Sequence, residues 1–334
     1  MERRTMYCAN LYAPGDLRYE QKPTPVYGAD EVLVQIKNCG VCGSDIGRIL
    51  VNGTYHFPTV PGHEFSGEVV EDASGEYLGM RVAVFPLLPC FACDMCEDER
   101  YAQCKNYDYY GSRRDGGFAE YIAVKKWNLV PLPDGVSYEE GAMTEPTAVA
   151  YHAVKKLNLK EGDNLLITGA GTIGLIAGMW AKSFGAKQVY YLDLDERKLC
   201  FCRELGFEAY TDDIEADAVL EGTGASSAFA AAIAAVRRFG TIVLMGNPGG
   251  DVTLSPKEYQ SILRKELHLS GTWNSSYSQK EQDWKDSLAA MAAKKLQLKP
   301  LITHRISLQD CLQTVQGMKS GKDFYCKVMI TNEK

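Results

Sequence analysis

The sequence predicts an α/β protein with two domains, one rich in β-strands and one built on a doubly wound parallel sheet. Three observations carry this prediction. The chain has 334 residues, more than one hydrophobic core usually supports. Its N-terminal part alternates polar and apolar positions between frequent turns. Its middle part contains a strand, a glycine-rich turn, a helix and a second strand, in that order.

The composition favours a small-molecule partner. Hydrophobic residues make up 46% of the chain and charged residues 24%, with a net charge of -7. Nucleic acids and anionic membrane surfaces select for clustered Lys and Arg, so the acidic balance argues against both. The longest apolar run, 165–181, contains four glycines, and the N-terminus has no apolar run of the secretory kind. We therefore expect neither a membrane span nor a signal peptide.

Cysteine usage indicates a reducing compartment. The chain has eleven cysteines, an odd number, and four of them cluster at metal-binding spacing. A secreted disulfide framework is usually shorter and evenly paired. We expect free thiols and a cytoplasmic location.

The first domain begins as β-structure, from Met6 to about Ala73. The stretch Glu31 to Lys37 alternates as a strand does, and Cys39-Gly-Val-Cys42 follows it. This cysteine pair is compatible with a redox pair, half of a zinc site or two unrelated thiols. Because His63 and Glu64 are the next potential ligands, we favour Cys42 as one metal ligand and Cys39 as a small buried residue.

Four later cysteines carry the most specific metal signal. They follow the pattern C-x2-C-x2-C-x7-C, and four thiolates this close together can enclose one Zn²⁺ tetrahedrally. An iron-sulfur cluster and four incidental cysteines are the alternatives. A site closed by four thiolates has no open position, so we expect a structural zinc at Cys90, Cys93, Cys96 and Cys104.

Two adjacent arginines, Arg113 and Arg114, precede Asp115-Gly-Gly. Such pairs usually form a solvated turn, but arginine is also the side chain best suited to bidentate phosphate recognition. The composition alone leaves both interpretations open.

The second domain contains a dinucleotide-binding pattern. A strand at 165–168 enters the glycine turn, a helix runs to Phe184, and a second strand ends at Asp193. The glycines let the backbone approach a pyrophosphate at the helix N-terminus. Asp193 would accept hydrogen bonds from ribose hydroxyls and repel a 2'-phosphate, which favours NAD over NADP. The expected cofactor residues are Gly169, Gly171, Thr172, Ile173, Gly174, Asp193, Lys198, Gly222 and Gly246.

Further strands are expected at 217–221, 241–246 and 267–271, with a helix from Ser226 to Val236. Only six residues separate Tyr210 from Asp217, too few for the usual crossover helix, so we predict that this helix is missing. A helix is expected from Tyr277 to Leu296, and the segment 302–330 returns to the first domain. The predicted domains are 1–145 with 273–334, and 146–272.

Taken together, Cys42-Gly-Ser-Asp45, Gly62-His63-Glu64, the four-cysteine segment, Glu145-Pro146 and the glycine turn resemble the zinc-dependent medium-chain dehydrogenase/reductase family over nearly the whole chain. The resemblance implies a GroES-like catalytic domain, a Rossmann NAD-binding domain and two zinc ions per chain. It also implies a catalytic zinc held by Cys42, His63 and Glu145, and Glu145 resembles the third ligand of the polyol branch.

Three segments, 86–91, 111–121 and 262–267, are similar to the galactitol-1-phosphate 5-dehydrogenase branch of this family. This similarity implies oxidation of a sugar-alcohol phosphate to a ketose phosphate, galactitol 1-phosphate giving tagatose 6-phosphate. It also implies a homo-oligomer, either a dimer or a tetramer. The alternative substrate is an unphosphorylated polyol or another secondary alcohol such as threonine. The substrate residues are expected to be Arg113, Arg114 and Asn274.

We expect the substrate hydroxyl to be activated at the zinc and Ser44, which stands beside Cys42, to pass its proton outward. Glu64 is either a direct ligand or a carboxylate that orients one.

The sequence departs from the family pattern at two places. Gly47 occupies the position of the proton-relaying histidine of alcohol dehydrogenases, with His56 nearby, and Asn274-Ser275 replaces the Arg-Tyr pair of sorbitol dehydrogenases. A zinc-ribbon protein binding nucleic acid and a non-catalytic relative are the competing classes.

Overall fold

The structure, a computed structural model, describes residues 4–332. Its strands are β1 Thr5–Ala13, β2 Asp16–Pro23, β3 Glu31–Val41, β4 Glu64–Glu71, β5 Arg81–Val84, β6 Leu87–Leu88, β7 Asp108–Tyr109, β8 Tyr121–Lys125, β9 Leu129–Pro131, β10 Asn164–Thr168, β11 Gln188–Leu192, β12 Glu208–Ala209, β13 Ala216–Glu221, β14 Val236–Leu244, β15 His268–Gly271, β16 Ile302–Ile306 and β17 Lys327–Thr331. Its helices are α1 Gly43–Gly47, α2 Asp94–Glu97, α3 Tyr138–Ala142, α4 Thr144–Lys156, α5 Thr172–Ser183, α6 Glu196–Glu204, α7 Ser226–Ala235, α8 Pro256–Lys265, α9 Asp283–Ala292 and α10 Cys311–Ser320. None of these helices is long and apolar enough to cross a membrane.

The chain divides into two compact units. Among the described residues, one unit contains 4–145 and 276–332, and the other contains 146–275. The predicted return to the first domain at residue 273 is therefore three residues early. The amide of Thr272 still donates to Leu244 O (3.0 Å), so the chain continues to follow β14 at that point.

The first unit is organised around a sheet in which strand β3 has three partners. The order is β16-β17-β3-β4-β5-β9, and β8 also pairs with β3. The predicted strand 31–37 lies within β3, whose apolar residues Val32, Val34 and Ile36 are fully buried. The C-terminal strand β17 pairs antiparallel with β3, so the predicted return of the 302–330 segment is confirmed.

The second unit is a six-stranded parallel sheet in the order β12-β11-β10-β13-β14-β15. This order reverses between β10 and β13, as it does in doubly wound dinucleotide folds. The predicted fold class is therefore confirmed. Between β12 and β13 the chain makes only a turn, in which Ile214 N donates to Thr211 O (3.0 Å). The prediction that this crossover lacks its helix is confirmed.

The helix predicted from Tyr277 is shorter than expected, since α9 starts only at Asp283. Before it, Asp283 Oδ2 accepts a hydrogen bond from Ser276 N (2.7 Å) and Ser278 N donates to Glu281 O (2.8 Å). These bonds close a turn that is incompatible with helix. The predicted buried face of Trp284, Leu288 and Met291 is present.

Candidate active site and cofactor site

Three potential metal ligands meet at the end of β3. Cys42 precedes α1, and His63 and Glu64 stand where β4 begins. One ligand atom from each of the three lies within 4.8 Å of the others. The turn before His63 depends on Gly62, whose φ is 93° and whose missing Cβ would lie 2.3 Å from the ring of Phe118. Only glycine fits there, so the local sequence directs His63 toward Cys42.

Asp45 supports this group from behind. Its side chain is fully buried, its Oδ1 lies 3.3 Å from His63 Nδ1, and its Oδ2 accepts from Cys42 N (3.0 Å). Burial opposes ionisation, but His63 and Arg48 outweigh it and lower the pKa of Asp45 below its ordinary value. Because Nδ1 of His63 faces the Asp45 carboxylate, Nε2 is the nitrogen available to a metal. This role of Asp45 is not among those predicted from the sequence, although an acid three residues after a helix-capping position is a visible signal.

Glu64 is half of a buried ion pair. Lys327 Nζ lies 2.5 Å from Glu64 Oε2 and donates to Val41 O (3.2 Å). Only 1% of the Glu64 side chain and 3% of the Lys327 side chain is exposed. Burial lowers the pKa of Lys327, but the Glu64 carboxylate outweighs it and raises that pKa above its usual value. Oε1 of Glu64 remains available to a metal.

Glu145, the remaining expected zinc ligand, lies in the first turn of α4 and is buried. The pKa of Glu145 is raised to about 7, chiefly by burial and also by the Glu64 carboxylate, although His63 and Lys327 act to lower it. Glu145 is therefore close enough to His63 and Glu64 to feel their charges. It does not belong, however, to the group of three ligand atoms that lie within 4.8 Å of one another. Thiol, imidazole and carboxylate donors from three of the four predicted positions therefore come together, a set that suits a zinc ion with an open position.

Arg48 contacts the predicted proton carrier. Its Nη1 donates to Ser44 Oγ (2.7 Å) and lies 3.3 Å from Asp45 Oδ1. Arg48, which follows Gly47 and was not predicted as a site residue, brings a positive charge next to Ser44.

The two expected substrate arginines have different surroundings. Arg114 Nε pairs with Asp108 Oδ2 at 2.9 Å. The guanidinium of Arg113 instead lies over two tyrosine rings, 4.3 Å from the centre of Tyr55 and 4.4 Å from that of Tyr107. No carboxylate in the described part of the chain pairs with Arg113. Of the two arginines, Arg113 is therefore the one whose charge is available to a ligand.

Edge-on and tilted aromatic contacts connect this arginine with the metal ligands. The ring of Tyr107 lies 6.3 Å from that of Tyr109, and the ring of Tyr109 lies 5.7 Å from that of His63. His56 Nε2 is 3.0 Å from Arg113 O, so this histidine contacts the arginine segment. Arg113 thus belongs to the surroundings of the metal-ligand group.

The four-cysteine segment forms a separate cluster. Sγ–Sγ distances are 3.9 Å for Cys90 and Cys96, 3.6 Å for Cys93 and Cys96, and 3.9 Å for Cys93 and Cys104. Four thiolates bound at about 2.3 Å around a tetrahedral zinc are separated by about 3.8 Å, so the cluster fits zinc without a rearrangement. Backbone amides, first that of Lys105, lower the pKa of the Cys93 thiol to about 6, which favours the ligating thiolate.

This cysteine lobe, 90–104, is anchored to the rest of its unit by aromatic packing and one lysine. Phe91 and Tyr101 pack on Trp127 at 5.1 and 5.5 Å between ring centres. Lys280 donates its amide to Glu99 Oε2 (2.9 Å) and its Nζ to Asp98 Oδ1 (2.7 Å). The lobe is therefore fastened to the segment just before α9.

The glycine turn joins β10 to α5. Gly169 has φ 93°, and a Cβ on Gly174 would lie 2.1 Å from Gly169 O. A Cβ on Gly171, by contrast, would meet nothing within 4 Å, so space for a ligand exists beside the amides of Thr172 and Ile173 at the start of α5. A pyrophosphate fits this arrangement.

Asp193 is fixed at the end of β11. Its Oδ2 accepts from Ala170 N (2.8 Å), its Oδ1 accepts from Asp195 N (3.0 Å), and Lys198 Nζ lies 3.4 Å away. Gly222 and Gly246 follow β13 and β14 at the same edge of the sheet. The predicted cofactor residues thus gather at the carboxyl ends of the strands. Asn274, expected at the substrate, belongs to this second unit and has φ 51°.

Comparisons with known proteins agree with both halves of the chain. The profile of the Alcohol dehydrogenase GroES-like domain matches residues 28–134, and that of the Zinc-binding dehydrogenase family matches residues 172–294. Galactitol 1-phosphate 5-dehydrogenase of Escherichia coli K12 is 38% identical over 86% of this chain and 89% of its own length. A sorbitol dehydrogenase of Halalkalibacterium halodurans is 32% identical over 96% of this chain and 97% of its own. The crystal structure of galactitol-1-phosphate dehydrogenase from Escherichia coli superimposes with a TM-score of 0.90 at 35% identity, covering 98% of this chain and 100% of that one.

We predict that Lys327→Met destabilises the first unit by about 3–5 kcal/mol, since it leaves the Glu64 carboxylate buried without its counter-charge. Urea denaturation with a chelator present measures this without a contribution from metal binding. The exposed Lys319→Met serves as the matched control. Adding Glu64→Gln to Lys327→Met should restore part of the loss. Equal stability of Lys327→Met and the control would contradict the importance of the ion pair.

Proposed function

Because the chain belongs to the zinc-dependent medium-chain alcohol and polyol dehydrogenases, we propose that it oxidises a sugar-alcohol phosphate to a ketose phosphate with NAD. The proposed reaction is galactitol 1-phosphate to tagatose 6-phosphate. The observation that supports a phosphate group on the substrate is Arg113. This arginine has no carboxylate partner among residues 4–332, and edge-on and tilted contacts of Tyr107 and Tyr109 connect it to His63. The similarity to the galactitol 1-phosphate enzyme supports the same substrate.

When bound, the two cofactors supply a Lewis acid that lowers the pKa of the substrate hydroxyl and an acceptor for the hydride. Cys42, His63 and either Glu64 or Glu145 would hold the catalytic zinc, and the cysteine lobe the structural one. Asp45 orients the His63 ring. Ser44 accepts the hydroxyl proton, and the donation from Arg48 directs the serine's own proton away from the guanidinium.

NAD rather than NADP fits the end of β11. Asp193 is held by two backbone amides, so its carboxylate cannot easily move from the place where ribose hydroxyls are expected. A 2'-phosphate there would meet a fixed negative charge. The charge of Lys198, 3.4 Å away, is already shared with this carboxylate.

The second candidate is oxidation of an unphosphorylated polyol. The similarity to a sorbitol dehydrogenase favours it, as does the bond that Arg113 Nη2 donates to Tyr55 OH (3.3 Å), because that bond engages part of the guanidinium. Both candidates use the same metal ligands and the same cofactor. They differ only in whether Arg113 receives a phosphate.

Steady-state kinetics with a panel of alcohols tests the proposal. We expect kcat/KM with NAD to be at least about tenfold higher for galactitol 1-phosphate than for galactitol, since one hydrogen bond to a charged group contributes about 1.5–3 kcal/mol. Sorbitol and threonine should be poor substrates, and NADP should be a weaker cofactor than NAD. Equal turnover of galactitol and its phosphate would favour the polyol alternative.

Substitution of the arginines separates their roles. We predict that Arg113→Gln raises KM for the phosphorylated substrate about 10- to 100-fold through the loss of a charge-assisted contact, and leaves KM for galactitol unchanged. Arg114→Gln is the matched control, since Asp108 already neutralises Arg114. A larger effect from Arg114→Gln, or an equal effect of Arg113→Gln on both substrates, would refute the assignment.

We further propose a homo-oligomer formed along β15. This strand lies at the edge of the parallel sheet and all four of its residues are exposed. The helix α8, which precedes it in the chain, buries none of its residues. Exposed Leu269 and Trp273 add apolar surface. Light scattering should give a dimer or tetramer, and Leu269→Lys should shift it toward the monomer. A monomeric wild type would exclude this proposal.

We also infer a reducing, cytoplasmic setting. The cysteines of the two proposed zinc sites are free, and these sites require thiolates that an oxidising compartment would convert to disulfides.

A further inference from the structure

The second unit contains a buried carboxylate to which the proposed reaction gives no role. Glu221 is the last residue of β13 and is 2% exposed. Its Oε1 accepts from the backbone amide of Thr223 (2.8 Å), the hydroxyl of Thr223 (2.6 Å), the hydroxyl of Thr168 (3.2 Å) and the amide of Gly224 (3.0 Å). The side chain therefore connects the loop after β13 with the end of β10.

The backbone of the same residue connects a third loop. Glu221 O accepts hydrogen bonds from the amides of Met245 (2.8 Å) and Gly246 (3.0 Å), which follow β14. One residue thus holds together the chain segments at the carboxyl ends of β10, β13 and β14. Three of the glycines expected at the cofactor, Gly169, Gly222 and Gly246, lie in these segments.

The backbones of the loops after β10, β13 and β14 are in direct contact, with no space between them for a side chain. A Cβ on Gly246 would lie 2.0 Å from Gly224 N, and one on Gly222 would lie 2.8 Å from Thr168 O. Gly224 has φ 73°, a conformation that its two bonds to the Glu221 carboxylate fix in place. The spacing between the loops is therefore set by the hydrogen bonds of Glu221.

The position of Glu221 in the sheet gives this arrangement a functional meaning. The strand order reverses between β10 and β13, and in open parallel sheets the crevice at that reversal receives the dinucleotide. Thr168 and Glu221 are register partners on these two strands. The carboxylate thus lies at the base of the crevice rather than in its opening.

We propose that Glu221 is a positioning residue for the dinucleotide, one that keeps the loops after β10, β13 and β14 in their binding geometry before the cofactor arrives. The inference rests on the proposed use of NAD. A ligand that meets loops already ordered loses less free energy to their ordering. Replacing the carboxylate by an amide puts an NH₂ group against the amide donors and releases the loops.

Calorimetric titration of the zinc-loaded protein with NAD, without alcohol, tests this inference. We expect Glu221→Gln to raise the Kd for NAD about tenfold, while KM for the alcohol at saturating NAD and the zinc content stay at wild-type values. Thr223→Val, which removes only one hydroxyl donor, should raise Kd in the same direction by less. The Thr223→Val variant still tests the inference if Glu221→Gln does not fold. The matched control is Glu208→Gln, an exposed residue of β12 in the same sheet.

Each outcome has a distinct meaning. An unchanged Kd in folded Glu221→Gln, or a lower melting temperature with an unchanged Kd, would show that the carboxylate has only a structural role and would overturn the inference. A wild type that binds NAD but does not oxidise sugar-alcohol phosphates would defeat the proposed substrate while the Glu221 comparison still stands.

Discussion

The catalytic unit depends on one buried ion pair, that of Glu64 with Lys327. The two residues are 263 positions apart, and their contact attaches the first residue of β17 to the first residue of β4. Because β17 also pairs with β3, the lysine stands beside the strand that delivers Cys42. A missing Cβ at Gly40, which would lie 2.2 Å from Glu64 Oε2, makes room for the carboxylate. Loss of either charge would therefore disturb all three potential metal ligands, Cys42, His63 and Glu64.

The two units hold their ligand-facing groups in place with different interactions. In the first, buried charges (Asp45 behind His63, Lys327 against Glu64) fix side chains that must face a cation. In the second, backbone amides must face an anion, and glycines allow the chain to present them. Glu221 and Asp193 hold neighbouring segments of these loops by accepting hydrogen bonds from other backbone amides. Asp45 in the first unit and Glu221 in the second are thus acidic groups that lie behind the groups expected to touch the ligand.

Local sequence patterns are sufficient to predict much of this structure. The glycine turn with Asp193, the cysteine lobe and the strand 31–37 are each defined by neighbours within about one supersecondary unit, and the missing crossover helix follows from the length of the connection alone. Asp45 carried a weak local signal. Lys327 carried none, because its partner is remote in sequence and the nearby residues only indicate a strand. The start of α9 was misjudged because an aspartate side chain competes with the helix for a backbone amide.

The turn that replaces a helix between β12 and β13 has a practical consequence. Thr211, Asp212 and Asp213 are exposed, and the register of β13 is fixed by its neighbours β10 and β14 rather than by this connection. Extra residues placed between the two aspartates would extend into solvent at little conformational cost. The turn is therefore a suitable attachment point for a spectroscopic label, joined to the strand that ends at Glu221 but remote in sequence from every proposed zinc ligand.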